Sequence, residues 1–382
     1  MDEMDARDRI DAAIALQPVD RAPLVPMMDI FSPRFEGVKM SAMIRDLDLA
    51  RDTLIKAFDD LGGWDATFLS GGLVSDIGWG NFGMASKLPG YELGDDDLWQ
   101  LDEKEIMKVE DYDFIIKNGW NAYLGLAYPR VGAPCDPALF FPHLGALAAQ
   151  GVKDTLIWEA KGVRVFAGFG PNPPFESVTF TRSLKETVAD VYRRPALLEA
   201  ALDAIQAEQV PFMIGGLQAV KQATKWGDKV AFIGATRAPF LSPPNFERFF
   251  WKYIKDMVNQ MVAVGITPML HFDSKWDRYL EKFLELPKGK VILELDSTTN
   301  IFKAKEILKG HMCIMGDVPA SLLKLGTPEQ VTDYVKKLID VVGEGSGFIL
   351  STGCDCPMDA KVENVKAMLE TGKTYNPHHK VF

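Results

Sequence analysis

Residues 265–273 read GITPMLHFD. The run is apolar through Leu270, then sets His271 and Asp273 at its end. Four other runs share this form: KVAFIGATR (229–237), KVILELD (290–296), HMCIMGDVP (311–319) and GFILSTGCD (347–355). Each stays apolar until its last two or three residues, which turn polar or become Gly. A strand buried on both faces reads this way. Polarity at carboxyl ends is where barrel and open α/β enzymes place their chemistry.

Amphipathic helical runs separate these strands, so parallel strands joined by crossover helices are expected. The stretch 242–265 opens with Ser242 at the N-cap position and Pro243 in the first turn, and closes on Gly265. It carries Phe246, Phe250, Ile254, Met257, Met261 and Val264 on one stripe. At 326–345, Thr327 and Gln330 form a capping box around Pro328. The run 180–206 splits into two helices near Pro195, because proline removes a donor and disfavours helix at Arg194. KWDRYLEKFLEL (275–286) reads as a further helix.

The first half is less regular. RAPLVPMMDIF (21–31) and WDATFLSGG (64–72) read as the first two strands, and the Gly-, aromatic- and acid-rich stretch 75–99 reads as a long loop over the site. No fixed-period repeat or composition shift marks a boundary. The expected fold is α/β, a (β/α)8 TIM barrel spanning residues 1–382 as one domain, with an N-terminal helical extension and long loops over the barrel mouth.

Composition narrows the function. With 42 Lys plus Arg against 53 Asp plus Glu, the net charge is −11. That average field repels nucleic acid and anionic membrane surfaces. No stretch reaches the roughly 20 apolar residues of a membrane span, and the charged start MDEMDARDRI does not read as a signal peptide, so a cytoplasmic location is expected. Four cysteines, Cys135, Cys313, Cys354 and Cys356, are too few for a disulfide framework. No Walker loop, Gly-x-Ser-x-Gly elbow or dinucleotide fingerprint occurs.

His271 and Asp273, two apart on a strand, point to one face. Imidazole and carboxylate both ligate zinc, and Cys354 at the last strand end supplies the thiolate that strengthens the set. The alternative is a buried histidine beside an Asp273 helix cap. Glu294 and Asp296 repeat the spacing on the next strand. Each is open to a ligand, proton-carrying or catalytic role, as is Asp273, while Asp296 is equally open to capping the helix after STTN. Cys313, far from the strand end, reads as core. Asp29, Trp79, Phe82, Met84 and Trp120 are candidates for the substrate wall, with ordinary packing as the competing reading of the aromatics. The tail histidines His378 and His379 read as solvated.

The segments 241–271, 295–319, 322–331 and 347–369 together resemble the uroporphyrinogen decarboxylase superfamily, which includes zinc-dependent methyltransferases that work with corrinoid proteins. The porphyrinogen decarboxylases carry an amino-terminal Arg-Gln-Ala-Gly-Arg-Tyr signature. Here VPMMDIFSPRF (25–35) stands in its place, which speaks against a tetrapyrrole. The resemblance implies that His271 and Cys354 are zinc ligands, that Asp273 stands where the family has a cysteine, and that Glu294 or Asp296 is a displaceable ligand. Fewer thiolates leave zinc a stronger Lewis acid, which suits an oxygen-bound methyl group better than a thiol. The implied activity is methyl transfer from a methoxylated aromatic to Co(I) of a cobalamin (corrinoid) partner protein. A thiol- or folate-directed methyltransferase, a cofactor-free porphyrinogen-type decarboxylase with Arg21, Arg34 and Arg45 near its first strand, and a non-catalytic corrinoid-protein partner are the alternatives. A homodimer is left open. The His271 imidazole and Cys354 sulfur are expected within about 6 Å of each other if both grip one ion.

Overall fold

The computed structural model describes residues 4–68, 83–131, 140–166, 168–225 and 230–377. Eight extended segments close into a ring: β1 (residues 23–27), β2 (Ala66–Thr67), β3 (Arg164–Val165 with Gly168–Phe169), β4 (Val230–Ala235), β5 (Thr267–Phe272), β6 (Ile292–Leu295), β7 (Cys313–Val318) and β8 (Phe348–Thr352). From β4 to β8 each strand pairs in parallel with the next, in registers such as Gly234 with His271 and His271 with Glu294. The other half closes through Ala66 with Arg164 and Gly168 with Ala231. β1 seals the ring: Leu24 bridges Leu350 of β8, and its carbonyl accepts the Asp65 N–H beside β2 at 2.8 Å. The expected TIM barrel is the observed fold.

Strand alternation sorts the side chains into two cores. Val25, Ala66, Phe166, Val230, Met269, Ile292, Cys313, Met315 and Ile349 pack together inside the barrel, with Ile10, Ala13 and Ile14 of the helix Ala6–Ile14. That helix is the expected N-terminal extension. Arg9 anchors it through buried ion pairs with Asp20 at 2.6 Å and Asp65 at 2.8 Å. The alternate strand residues, Ala231, Ile233, Leu270, Leu293, Ile314 and Leu350 among them, pack outward against the helices. The inward set continues two residues on at His271 and Glu294, and that period of two turns them into the barrel.

Most sequence-based helices are present. Residues 243–263 form one helical run with a π turn at Glu247–Trp251. Its stripe is buried except for Val264, past its end, and Gly265 reverses the chain at φ +75°. Ser242 holds the N-cap position, but its side chain makes no cap bond. The Thr327–Gln330 capping box forms, and helices Leu184–Arg193 and Pro195–Ala223 meet at the expected break. The helix expected over 275–286 is instead a single 3-10 segment, Leu280–Glu285. Trp276, fully buried, fixes the preceding turn by donating Nε1–H to the Asp273 carbonyl at 2.6 Å, and so draws the chain inward before a helix can start. After β2 the described residues resume at 83, and an antiparallel pair joins Ser86–Lys87 of the loop to Gln100–Leu101 just beyond it. Trp79 and Phe82 lie outside the described residues, as do Cys135, His378 and His379.

Candidate metal centre

His271 is six per cent exposed at the end of β5, and its ring stacks on Phe232 with centroids 4.8 Å apart. Its Nε2 lies 3.6 Å from Cys354 Sγ and 3.3 Å from Asp273 Oδ1. Together the three residues offer donor atoms within 4.8 Å of one another. Zinc bonds of about 2.0 Å to nitrogen, 2.3 Å to sulfur and 2.1 Å to oxygen at tetrahedral angles require N–S and N–O separations of roughly 3.5 and 3.4 Å. The observed spacings match a shared ion, and the imidazole–sulfur distance falls well inside the expected limit.

The loops hold these donors in place. Ser274, at φ +74°, turns the chain just after Asp273 and gives its N–H to Asp296 Oδ2 at 2.9 Å, while Trp276 N–H bonds Thr299 Oγ1 at 2.8 Å. The end of β6 thereby grips the loop after β5. Gly353 precedes Cys354 where a Cβ would stand 3.0 Å from the Asp296 backbone. Its N–H bonds the Val318 carbonyl at 3.0 Å, and Cys356 N–H bonds the Met27 carbonyl at 2.8 Å. The thiol is thus carried on a turn fastened to β1 and β7.

Several sequence readings need correction here. Asp273 is not a helix cap, since its side chain faces His271. Asp296 stands outside the group of three donors: its Oδ2 takes the Ser274 N–H and its Oδ1 takes both donors of Thr298, so it holds turns. It does not cap the next helix either, because Asn300 does. Glu294 is fully buried but meets Nδ1, the ring nitrogen turned away from Cys354 and Asp273. Its place is behind the histidine, where a carboxylate fixes the tautomer and sharpens Nε2 as a donor. Trp120 is core, sealed at 2% exposure with its backbone N–H on Glu208 of helix Pro195–Ala223. Met84 packs with Ile30, Met40, Met43 and Leu88.

The rim is richer in acid than the sequence reading foresaw. Asp29 ends β1 almost wholly buried, with an unbonded Oδ1, and burial with Asp355 nearby pushes its carboxyl well above the usual range. Burial raises Asp355 to about 6. It raises Asp317, which accepts the Tyr334 hydroxyl at 2.8 Å, to about 7. Glu294 also rises to about 7 by burial, against the pull of His271. Burial likewise pushes the Cys354 thiol up to about 11, again opposed by His271. For His271 burial works downward, but Glu294, Asp273 and Cys354 outweigh it and the imidazole goes up. A divalent cation reverses this balance, favouring thiolate, carboxylate and neutral imidazole together. Donor chemistry and spacing therefore both fit such an ion. Asp317 and Asp355 lay at the polar tips of apolar runs, a signal that could have singled them out.

Residues 174–375, more than half of the chain, match the family model for uroporphyrinogen decarboxylase (URO-D). The chain belongs to the uroporphyrinogen decarboxylase family. Among curated relatives, the uroporphyrinogen decarboxylase of Neisseria gonorrhoeae is 28% identical over 188 residues, 47% of this chain and 49% of that one. The Methylococcus capsulatus uroporphyrinogen decarboxylase is 25% identical over 204 residues, 52% of this chain and 54% of that one. The chain spans about half the length of the curated relatives it matches. A solved methyltransferase from Methanosarcina mazei superposes with a TM-score of 0.69 at 18% identity, covering 97% of this chain and 99% of its own, and so shares the fold. No helix among the described residues is long and apolar enough to cross a membrane.

Proposed function

We propose that this member of the uroporphyrinogen decarboxylase family is a zinc-dependent methyltransferase that moves a methyl group from a methoxylated aromatic to Co(I) of a corrinoid protein. The observation that carries the reading is the convergence of His271, Asp273 and Cys354 at the barrel mouth with separations suited to one zinc ion. Zinc, when bound, supplies Lewis acidity that stabilises negative charge on the departing oxygen. The chain does the rest. Glu294 holds the imidazole so that Nε2 faces the other donors. Asp29, whose carboxyl is pushed up by burial and by Asp355, is the candidate to carry a proton for the released phenolate. Phe232, stacked on His271, walls the ring side of the cleft.

Two of the three arginines near the first strand, Arg21 and Arg45, favour this over porphyrinogen decarboxylation. Arg21 is tied into a buried ion pair with Asp65 at 2.7 Å, and Arg45 lies over Tyr91 with its guanidinium donating to the Gly90 carbonyl. Neither is positioned to clamp the carboxylates of a tetrapyrrole.

Protein purified without a polyhistidine tag should contain about one zinc per chain, and His271→Ala with Cys354→Ala should remove it. Zinc retained by that double variant overturns the ligand assignment. With reduced corrinoid protein, a guaiacol-type ether should lose its methyl group; no loss across a panel of such ethers overturns the reaction.

A further inference from the structure

The turn that leaves β4 carries a guanidinium for which the chemistry above has no use. Arg237 lies three residues beyond Gly234, the strand partner of His271, and therefore on the same rim as the metal donors. Glu176, one per cent exposed on the helix Pro174–Arg182, stands next to it but does not form an ion pair with it. Glu176 Oε1 accepts the backbone N–H groups of Arg237 and Ala238, both at 2.9 Å. The carboxylate thus fixes the backbone of the turn. The guanidinium carbon lies 4.1 Å from the Phe180 ring centroid, and Nη1 is buried without a hydrogen-bond partner.

An unpaired buried donor costs free energy, more for a charged group than for a neutral one. A guanidinium held over an aromatic ring with an unpartnered buried Nη1 is a donor that a planar carboxylate can satisfy. Glu176 attracts the guanidinium through space but gives it no hydrogen bond, because its Oε1 is taken by the two backbone amides. Burial lowers the pKa of Arg237 even against the pull of Glu176 and Glu103, neither of which forms an ion pair with it.

We infer that Arg237 anchors a carboxylate on the small substrate, so that the preferred ligands are aromatic acids with the acid group held on Arg237 and the methyl ether directed toward the metal donors. The binding half of this rests on the geometry of Arg237. Only the second half rests on the methyl-transfer reading. The anchor makes Arg237 a specificity residue that acts through binding.

The test is calorimetric titration of the full chain, with no corrinoid protein present, using 4-methoxybenzoate, benzoate, 4-methoxybenzamide and inorganic phosphate, for the native protein, Arg237→Lys and Arg237→Met. The acids should bind at least about tenfold tighter than the amide to the native protein, the gain expected of a charge-assisted pair. Arg237→Met should erase that preference with the amide affinity unchanged, and Arg237→Lys should restore part of it. Equal affinity for acid and amide in the native protein overturns the proposal. So does an equal loss of both in Arg237→Met, which would make the residue a packing element. Phosphate binding tighter than either acid, and lost in Arg237→Met, overturns the carboxylate assignment in favour of a phosphate-bearing ligand. Because benzoate has no methyl group, an acid preference without demethylation would sustain the anchor and sink only the reaction.

Discussion

Replacing Glu294 by Gln separates the charge behind the histidine from its shape. The carboxylate touches Nδ1, while Nε2 looks toward sulfur at 3.6 Å and Asp273 oxygen at 3.3 Å. Glutamine fills the same volume and can still accept the Nδ1–H through its carbonyl, so the imidazole stays in place. What disappears is the negative charge that makes Nε2 a better donor and offsets the positive charge of the ion. Loss of such an outer partner weakens metal affinity by about 10–100-fold, or roughly 1.4–2.7 kcal/mol. Competition against a chromogenic zinc chelator at neutral pH reads this directly, with His271→Ala as the lower bound. Asp296→Asn is the comparison: its oxygens accept from Ser274 and Thr298, so it touches the metal donors only through the turn after Asp273 and should lose less zinc affinity than Glu294→Gln. A Glu294→Gln protein that holds zinc as tightly as the native one, or an Asp296→Asn protein that loses as much, would refute the division of labour between the two acids.

Two further substitutions probe the scaffold. Asp190 is fully buried and accepts from Arg182 Nε at 2.5 Å, Arg194 Nη1 at 2.7 Å and the Tyr112 hydroxyl at 3.1 Å. Asp190→Ala leaves the buried Arg182 with only the half-exposed Glu105 as counter-ion and should cost about 3 kcal/mol in urea unfolding; a change under about 1 kcal/mol, the size of a surface pair, would contradict that accounting. Lys305 is six per cent exposed, its ammonium donates to the Ser346 carbonyl, and burial lowers its pKa to about 8. The unfolded chain then holds more protons than the folded one between about pH 8 and the ordinary lysine value, so this group's contribution to stability rises with pH across that window. Lys305→Met removes the penalty, and its stability advantage over the native protein should shrink from pH 8 to pH 10; an advantage that is flat or grows would show the sign to be wrong.

The barrel was legible because its strands announce themselves twice, by continuous apolar runs and by polar tips. β4 to β8 follow that rule, and His271 and Cys354 were readable as tip residues. β1 and β2 were harder to place: only Leu24 of the first segment makes a bridge, and the second is two residues long, so neither offers a periodic signal. The site was half legible. A spacing of two predicts which face Glu294 and Asp296 share on an ideal strand, but β6 ends at Leu295 and the chain has already turned at Asp296. The expected helix over 275–286 failed for a tertiary reason, since Trp276 is drawn inward by partners distant in sequence. Arg237 was missed because one arginine after a strand carries no pattern; only the third dimension shows that its neighbouring acid is occupied elsewhere.

The amino-terminal helix wedged among the inward side chains of the strands has a kinetic consequence. Among the described residues, Ile10, Ala13 and Ile14 stopper one end of the ring, which leaves the mouth at the metal donors as its doorway. Under the methyl-transfer reading, a bulky acceptor seated on that doorway blocks traffic of small molecules. The donor therefore has to load before the acceptor docks, and the spent phenol can depart only after it lifts away. Turnover would then follow a compulsory order, imposed by a plug at the opposite pole from the metal donors.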